Sequence, residues 1–431
     1  MKSFPWTKFL IPVLFLILCL NYFSGIPGVP IHPDESTQIY MSADVPKFLQ
    51  DPSSLAFPGV KLQDDQLRYR LIDSPLTRTF IGTGLLLRGQ APTSIDWDWS
   101  KNWQENDQAG ALPSADVLTM ARYSVAWMFP LSCLFLFMTV KKLGGWLAAL
   151  ISVVLFATNA LILLHTRRAM AESALICLLC ASVWCLLCVD KRVWLAAIPV
   201  GLAINAKQTL FPLAGFGLLN MVFKPIVGIS KINRFFQTVI FSAIVLLITW
   251  GLNPVYWKSP IPALQTGLDL RSELTVQMSR QHQNIFTALE RSAILIGQVF
   301  IQPLAIGDVS NYLADTQKQT DLYYQNPVNN LFRGFIAGAI FLGLSIIGWG
   351  LLIRDLFSSR AKNKYPAGAF LTMTIGMILT VMFFTPVNFQ RYYLVVVPFI
   401  IIAQAFALSS ISTIIFRGIK KGLPLSNGSP R

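Results

Sequence analysis

Residues 118–164 read LTMARYSVAWMFPLSCLFLFMTVKKLGGWLAALISVVLFATNALILL and decide the fold class. They contain two long apolar runs, 118–140 and 145–164, and the charged pair Lys141 and Lys142 lies between them. An α-helix needs about 20 apolar residues to cross the hydrocarbon core of a bilayer. Each run is long enough, so the stretch predicts two transmembrane helices joined by a short basic turn.

The same pattern continues on both sides of this stretch. Further apolar runs predict membrane spans at about 9–25, 169–189, 193–206, 208–223, 236–252, 331–353, 366–384 and 391–416. The 431-residue chain is 54% hydrophobic and only 13% charged, whereas soluble domains carry about 25% charged residues. We therefore expect an all-α polytopic membrane protein, a bundle of about ten transmembrane helices.

The short loops between the spans are basic. Lys191 and the segment 354–365 are examples, and the acidic residues in these loops are Asp190 and Asp355. Positively charged loops stay in the cytoplasm, so this face is predicted to be cytoplasmic, together with both termini and the tail 417–431. We expect a multi-pass protein of the cell membrane, whose net charge of +14 orients it in the lipid bilayer. No nucleic-acid partner is needed to explain this charge.

Two long segments are then predicted on the extracytoplasmic side, 26–117 and 253–330. They carry nearly all the acidic residues, and long polar segments on a helical scaffold commonly carry function. Within the second, residues 291–306 (RSAILIGQVFIQPLAI) are apolar. A span there would move the basic segment 354–365 outside, so we predict a helix lying in the membrane interface.

Four cysteines form a C-x-x-C…C-x-x-C pattern at Cys177, Cys180, Cys185 and Cys188. In a loop this spacing would suggest zinc. Here it lies inside the continuous apolar run 169–189, which offers no loop to fold around a metal. We interpret these cysteines as small residues of a membrane helix.

The first polar cluster is IHPDES, residues 31–36, directly after the first span. His32, Asp34 and Glu35 would sit at the outer interface, where two adjacent carboxylates could serve as a general base and its partner. The alternative is structural, with Asp34 or Ser36 capping the helix that follows.

The second cluster is HTRRAMAES, residues 165–173, at the outer end of the fourth span. On one helix His165, Arg168 and Glu172 would share a face, because residues three and four apart are neighbours. Ionisable groups at the edge of a membrane helix usually line a cavity or pair. The alternative is an Arg168–Glu172 salt bridge, with Arg167 reaching out to lipid headgroups.

Cations at three further positions complete the predicted outer mouth. Lys207 lies in the turn between two short spans, and Arg391 with Tyr392 opens the last span. Lysine and arginine bind phosphate well, although Lys207 could be a solvated loop residue and Tyr392 an ordinary interface aromatic. Arg122, near the start of the second span, is a weaker candidate of the same kind. Cations for a leaving phosphate and a carboxylate for an incoming hydroxyl suit transfer from a phosphate-activated lipid.

At these motifs the chain resembles the membrane glycosyltransferases of the GT-C superfamily. Within it the likeness is to family 39, which includes protein O-mannosyltransferases and aminoarabinose transferases. The resemblance rests on HPDES (32–36), TRRAMAES (166–173), AINAKQT (203–209) and RYYLVVVP (391–398), in that order along the chain.

The resemblance implies a GT-C-like bundle and a polyprenyl-phosphate-linked sugar donor, with transfer by inversion at the outer face. We expect the transferred sugar to be a hexose. The resemblance also implies that Asp34 is the catalytic base and Glu35 its partner. Arg168, Lys207, Arg391 and Tyr392 would bind the donor phosphate. The supporting polar residues would be His32, His165 and Glu172. The acceptor stays open among a glycan, a lipid and a protein, and the short chain argues against a protein.

Two alternatives remain at this stage. A polytopic transporter or flippase would also have many spans, but transporters place polar groups near the middle of the bilayer and often contain repeats. A divalent cation is compatible with the nitrogen and oxygen atoms of His32, Asp34, Glu35, His165 and Glu172. Their spacing fixes no coordination geometry, so no metal ligand is assigned.

Overall fold

The computed structural model describes residues 7–59, 64–189, 192–224, 230–281, 286–357, 364–385 and 387–422. Parts of the predicted cytoplasmic loops, at 190–191, 225–229 and 358–363, lie outside the described residues, as does the end of the predicted tail, 423–431. Residues 60–63 and 282–285 of the two predicted outer segments lie outside them as well.

Throughout the described residues the chain is helical and has no β-strand. The α-helices of the first half are Thr7–Ser24 (α1), Pro33–Met41 (α2), Asp44–Gln50 (α3), Asp65–Ile72 (α4), Leu76–Leu87 (α5), Trp103–Gln108 (α6), Ala115–Ala126 (α7), Met128–Ala157 (α8), Ala160–Thr166 (α9), Ala171–Cys188 (α10) and Ala197–Ala206 (α11). Those of the second half are Pro212–Phe223 (α12), Lys231–Gly251 (α13), Pro260–Gln281 (α14), Ala288–Ile296 (α15), Gln317–Gln325 (α16), Phe335–Phe357 (α17), Lys364–Phe384 (α18) and Val397–Gly422 (α19).

Six helical runs in the described part of the chain are long and apolar enough to cross a membrane. They are Ala115–Ala157, Ala171–Cys188, Lys231–Gly251, Phe335–Phe357, Lys364–Phe384 and Gln390–Phe416. The expectation of an all-α polytopic membrane protein is confirmed. The four clustered cysteines all lie in α10, which ends at Cys188, and Cys177, Cys180 and Cys185 are free thiols.

The number of long helices differs from the predicted ten. Two predicted spans, at 193–206 and 208–223, are helical runs of 10–17 residues, whereas the predicted span 9–25 coincides with the 18-residue α1. A 14-residue helix is about 21 Å long, which is less than the roughly 30 Å of the hydrocarbon core. The runs 118–140 and 145–164 form separate helices as predicted, because the stretch Ala115–Ala157 contains a kink at Gly145 where two helices meet. There φ is 82°, a value that glycine adopts without strain.

The core of the bundle forms around α8, which packs against both α10 and α19. Helix α19 also packs closely on α17. A Cβ atom placed on Gly348 of α17 would lie 1.8 Å from the carbonyl oxygen of Ala403 in α19. The two backbones therefore touch, a contact that small residues allow between membrane helices.

The predicted outer segments pack on each other at one end of the bundle. Helix α4 lies against α14, and a small apolar cluster joins Leu67 and Leu71 of α4 to Val255 and Ala263. A Cβ on Gly267 would lie 2.8 Å from the Leu71 carbonyl oxygen. This close contact fixes the end of α4, where the site begins.

The segment 291–306 differs from the predicted interfacial helix. Helix α15 continues as a π-helical turn only as far as Ile301. Leu295, Val299 and Phe300 are buried in the main core, and the backbone of Phe300 lies against Gly338 of α17. The segment is therefore packed inside the protein, since its apolar side chains find protein partners there.

Candidate functional site

The HPDES motif forms the start of α2, and its N-cap residue is His32. The Nδ1 atom of His32 accepts a hydrogen bond from the Asp34 N–H at 3.1 Å, and a Glu35 carboxylate oxygen accepts one from the His32 N–H at 3.0 Å. This is a reciprocal capping box. The expectation that Asp34 or Ser36 caps the helix is therefore wrong.

Arg391 joins the two outer segments to the last span. Its guanidinium forms an ion pair with Asp34, and its Nε lies 2.8 Å from Oδ2 of Asp308. The same Asp308 oxygen is 3.1 Å from Nε2 of His32. Because Nδ1 of His32 already accepts a hydrogen bond, the ring proton lies on Nε2, which donates a hydrogen bond to Asp308. One cation and one imidazole thus hold two carboxylates.

Charge neutralisation keeps both of these carboxylates ionised. Burial alone would raise the pKa of Asp34, but the charge of Arg391 and the hydrogen bond from its guanidinium outweigh burial and lower the pKa below its usual value. The pKa of Asp308 is lowered for the same reasons, with burial opposed by Arg391 and by the His32 hydrogen bond. The Asp34 side chain keeps 31% of its surface exposed, so this carboxylate can meet a substrate.

Glu35 does not reach the mouth, contrary to its predicted role as the catalytic partner. Its side chain is fully buried, and its two oxygens accept hydrogen bonds from Nε and Nη2 of Arg122, each at 2.8 Å. The Ala169 N–H donates a further bond at 2.8 Å. Every face of this carboxylate is occupied, so Glu35 positions α2 against α7 and the turn before α10. The Arg122 guanidinium is engaged by the same ion pair, so it does not face a substrate.

The HTRRAMAES stretch does not form a single helix. Helix α9 ends at Thr166 and α10 begins at Ala171, so the predicted common face of His165, Arg168 and Glu172 is wrong. The two arginines between the helices turn inward and bind backbone carbonyls. Arg168 donates to the carbonyls of Pro30 at 3.1 Å and Ile306 at 2.7 Å, and it is fully buried.

Arg167 is buried in the same way and does not extend to lipid headgroups. It donates to the carbonyls of Tyr22 at 2.9 Å and Asn21 at 2.8 Å, and to the Asn329 side chain at 2.8 Å. Arg167 thereby supplies hydrogen-bond donors to the backbone carbonyls in the last turn of α1. His165 is also buried, and neither of its ring nitrogens has a hydrogen-bond partner among the described residues.

Lys207 ends α11 and pairs with Glu172 at the start of α10. Its Nζ lies 2.6 Å from a Glu172 carboxylate oxygen, so the alternative of an Arg168–Glu172 salt bridge is wrong. The same Nζ lies 5.2 Å from the centre of the Tyr392 ring, within the range of a cation–π contact. With 20% of its side chain exposed, Lys207 remains accessible from outside.

A cavity of about 760 Å³ opens beside these residues, and an adjoining recess measures about 180 Å³. Four predicted site residues line both spaces, namely Asp34, Lys207, Arg391 and Tyr392. Glu172 lines the recess. The other predicted residues line neither space: His32, Glu35, His165 and Arg168. The predicted site residues therefore fall into two groups: some line the mouth, and the others are buried where they stabilise the fold.

Sequence reasoning missed five charged residues of the cavity, among them Asp73, Arg271 and Asp308. Asp308 lines the larger space, while Asp73 and Arg271 line both. They lie in the long outer segments, where acidic and basic residues are common and no periodic pattern marks a particular one. The packing of α4 on α14 brings Asp73 and Arg271 to the mouth.

The residues present do not fit a divalent cation. The guanidinium of Arg391 occupies the position between Asp34 and Asp308, while Glu35 holds Arg122 and Glu172 holds Lys207. Across the described part of the chain, no three His, Cys, Asp or Glu side chains are placed to hold a metal ion. Cationic side chains already neutralise the carboxylates that a metal would need.

The architecture is similar to that of an archaeal oligosaccharyltransferase, AglB from Archaeoglobus fulgidus. One structure of it, in complex with an inhibitory peptide and a dolichol-phosphate, matches 99% of this chain and 53% of that one, with a TM-score of 0.54 and 12% identity. The apo form matches 96% and 53%, with a TM-score of 0.52 and 12% identity. The chain therefore shares the fold of this membrane enzyme.

The chain spans about half the length of these oligosaccharyltransferase structures. The Saccharomyces cerevisiae protein O-mannosyltransferase Pmt1-Pmt2 complex bound to the sugar donor also aligns, over 61% of this chain and 35% of that one. Its TM-score is 0.42 at 16% identity. The narrower resemblance to family 39 stays a prediction. No protein-family model and no curated protein matches the sequence.

Proposed function

We propose that this GT-C-fold chain is a glycosyltransferase that moves a sugar from a polyprenyl-phosphate donor to an acceptor hydroxyl, with inversion. One observation carries the proposal. The outer cavity combines the accessible ionised carboxylate of Asp34 with the cations Lys207 and Arg391 at the end of an apolar helix bundle. The dolichol-phosphate in the archaeal structure of the same fold supports a lipid-phosphate donor.

An apolar groove beside the cavity supports a lipid-borne substrate. Thr209 lines the outer cavity, and α12 begins three residues later at Pro212. Along α12 run two apolar spaces of about 520 and 580 Å³, which share Phe216 and Leu219. The large side chains on this face are exposed, with Phe223 at 69%. A polyprenyl chain could lie here while its phosphate reaches the mouth.

The charges of the mouth suit the separation of charge in glycosyl transfer. The acceptor oxygen bonds to the anomeric carbon while the bond from that carbon to the phosphate oxygen breaks. Positive charge develops on the sugar ring and negative charge on the leaving phosphate. An ionised Asp34 stabilises the ring, and Lys207 with Arg391 and Tyr392 binds the phosphate.

The sugar, the side of the membrane and the acceptor are also part of the proposal. The hexose, the outer face of the cell membrane as the site of reaction, and an acceptor among glycans, lipids and proteins are proposed from the sequence. The charge distribution of the loops supports the outer location. The enclosed cavity of about 760 Å³ has room for a sugar and an acceptor group together.

Sugar transfer by the purified full chain in lipid nanodiscs tests the proposal. A panel of radiolabelled polyprenyl-phosphate sugars is offered with glycan, lipid and peptide acceptors, and labelled product is separated from donor. Asp34→Asn removes the ionised carboxylate, so we expect turnover to fall by roughly 10²–10³-fold. Asp116→Asn, which changes an exposed carboxylate outside the cavity, should leave the rate unchanged.

Two results would contradict the proposal. Wild-type protein that transfers no sugar from any donor of the panel would remove the assigned activity. A folded Asp34→Asn variant with wild-type turnover would keep the activity but remove Asp34 from its mechanism.

A further inference from the structure

Asp73 is a carboxylate of the mouth that no motif singled out. It ends α4 in an extended conformation, with φ −114° and ψ 142°, and the contact between α4 and α14 fixes this end of the helix. Asp73 lines both the outer cavity and its recess, together with Asp34 and Lys207. It therefore faces the same space as the proposed reacting groups.

Asp73 differs from the neighbouring carboxylates in having free oxygens. Asp34 and Asp308 are paired with Arg391, and Glu172 is paired with Lys207. No hydrogen bond or ion pair reaches the Asp73 carboxylate from the residues that the structure describes. The Asp73 backbone N–H donates to the Tyr69 carbonyl at 2.8 Å and leaves the side chain unengaged within the described part of the chain. A proton acceptor needs such a free oxygen within reach of the substrate.

The surroundings of Asp73 favour proton uptake. Burial raises its pKa, and the charge of Asp34 raises it further. Arg271, Arg78 and Lys207 oppose this rise but do not cancel it, so the pKa of Asp73 lies above its usual value. Arg78 is itself engaged by Asp44 at 3.2 Å. A carboxylate of raised pKa is a stronger base than one of lowered pKa.

We propose that Asp73 takes the proton of the acceptor hydroxyl, while Asp34 remains paired with Arg391 at the sugar. As the acceptor oxygen bonds to the anomeric carbon, its proton passes to the Asp73 carboxylate. The electron pair of the broken bond leaves with the polyprenyl phosphate, and Asp73 then releases its proton to water. This inference rests on the proposed glycosyl transfer and reassigns the proton transfer that the family resemblance implied for Asp34.

The division of roles follows from the two environments. Two carboxylates in one cavity whose pKa values are pushed in opposite directions commonly divide the tasks of catalysis. Asp34 has one oxygen on Arg391 and a lowered pKa, which makes it a lasting negative charge and a weak base. Asp73 has neither restraint.

The pH dependence of transfer by the full chain in nanodiscs tests this role. In the wild type, kcat/KM should rise with pH as Asp73 loses its proton, with the midpoint above the usual Asp range of about 4. Asp73→Asn should lower kcat by roughly 10²–10⁴-fold, flatten this acidic limb and leave the KM for the donor within about threefold.

Chemical rescue separates proton transfer from a structural role. Formate should restore part of the rate of Asp73→Ala, because a small carboxylate can enter the space that the side chain leaves. Asp107→Asn is the control, since Asp107 is an exposed carboxylate of the same outer segment and lines neither the cavity nor its recess. It should keep the wild-type rate and pH profile.

The outcomes are distinguishable. If the wild type transfers sugar and Asp73→Asn keeps its kcat and its acidic limb, the inference fails while the proposed function stands. The same holds if Asp73→Asn changes only the donor KM, or if formate restores nothing to folded Asp73→Ala. If the wild type transfers no sugar, the proposed function and this inference fall together.

Discussion

At the scale of single residues, Asp34 and Glu35 are adjacent in sequence but have different surroundings. Successive residues of an α-helix point about 100° apart, because 3.6 residues complete a turn. At the start of α2 this rotation leaves Asp34 on the cavity side and turns Glu35 into the protein, against Arg122. The acidic pair thus divides into one accessible carboxylate and one that holds the fold.

Replacing Glu35 by glutamine should destabilise the protein strongly. The change leaves the buried Arg122 guanidinium without its counter-charge, and breaking a buried ion pair costs about 3–5 kcal/mol. Thermal unfolding in detergent, followed by tryptophan fluorescence, measures the loss. Asp355→Asn breaks an exposed pair with Arg354 and should cost no more than about 1 kcal/mol. Equal melting temperatures for the two variants would contradict the structural role of Glu35.

The sequence identified some of the charged residues near the mouth but not their partners. Asp34, Lys207, Arg391 and Tyr392 were predicted to meet at one end of the bundle, and the structure brings them to one cavity. Pairing depends on distances between segments far apart in the chain. Asp308, for example, meets Arg391 only because the second outer segment folds back over the last helix.

At the scale of helices, the stretch between α9 and α10 shows where local reasoning reaches its limit. A helical face was expected through residues 165–172, since nothing in HTRRAMAES breaks a helix by propensity alone. The chain leaves the helical path because Arg167 and Arg168 gain buried carbonyl partners on α1 and in the outer segments. Tertiary contacts of this kind cannot be read from spacing.

The contact between α17 and α19 gives a prediction at the same scale. Gly348→Ala places a methyl group against the Ala403 backbone, so the helices must move apart, at a cost of about 1–3 kcal/mol. Gly350→Ala is the matched control, because nothing lies within 4 Å of a Cβ there. Melting temperatures in detergent measure both. A Gly348→Ala variant as stable as Gly350→Ala would show that the helices do not touch at this point.

At the scale of the whole molecule, the orientation in the membrane stays a prediction from charge. Single cysteines at exposed positions test it: Gln108→Cys in the first outer segment and Lys231→Cys at the start of α13. A membrane-impermeant maleimide should label Gln108→Cys in intact cells and Lys231→Cys only after permeabilisation. Background should be low, since Cys188 is half-buried and the other native cysteines are buried. The reverse labelling pattern would invert the topology and place the cavity in the cytoplasm.

Composition and apolar run length were sufficient to predict the all-α membrane class, because a bilayer allows few alternatives to helices. They were not sufficient to count the long spans. Helices such as α11 and α12 are apolar but short, and their depth depends on the neighbours that cover them. The outer segments were the least predictable part, since their short helices are stabilised by contacts between distant stretches.

The position of Arg391 in the chain has a consequence for biosynthesis. A ribosome makes Asp34 and Asp308 before it makes the arginine that neutralises both. Burying two carboxylates without a cation is costly, so the nascent mouth must stay hydrated until the final helix is inserted. A translation product that stops before residue 391 therefore keeps its outer segments loose, and membrane proteases can distinguish it from the finished protein.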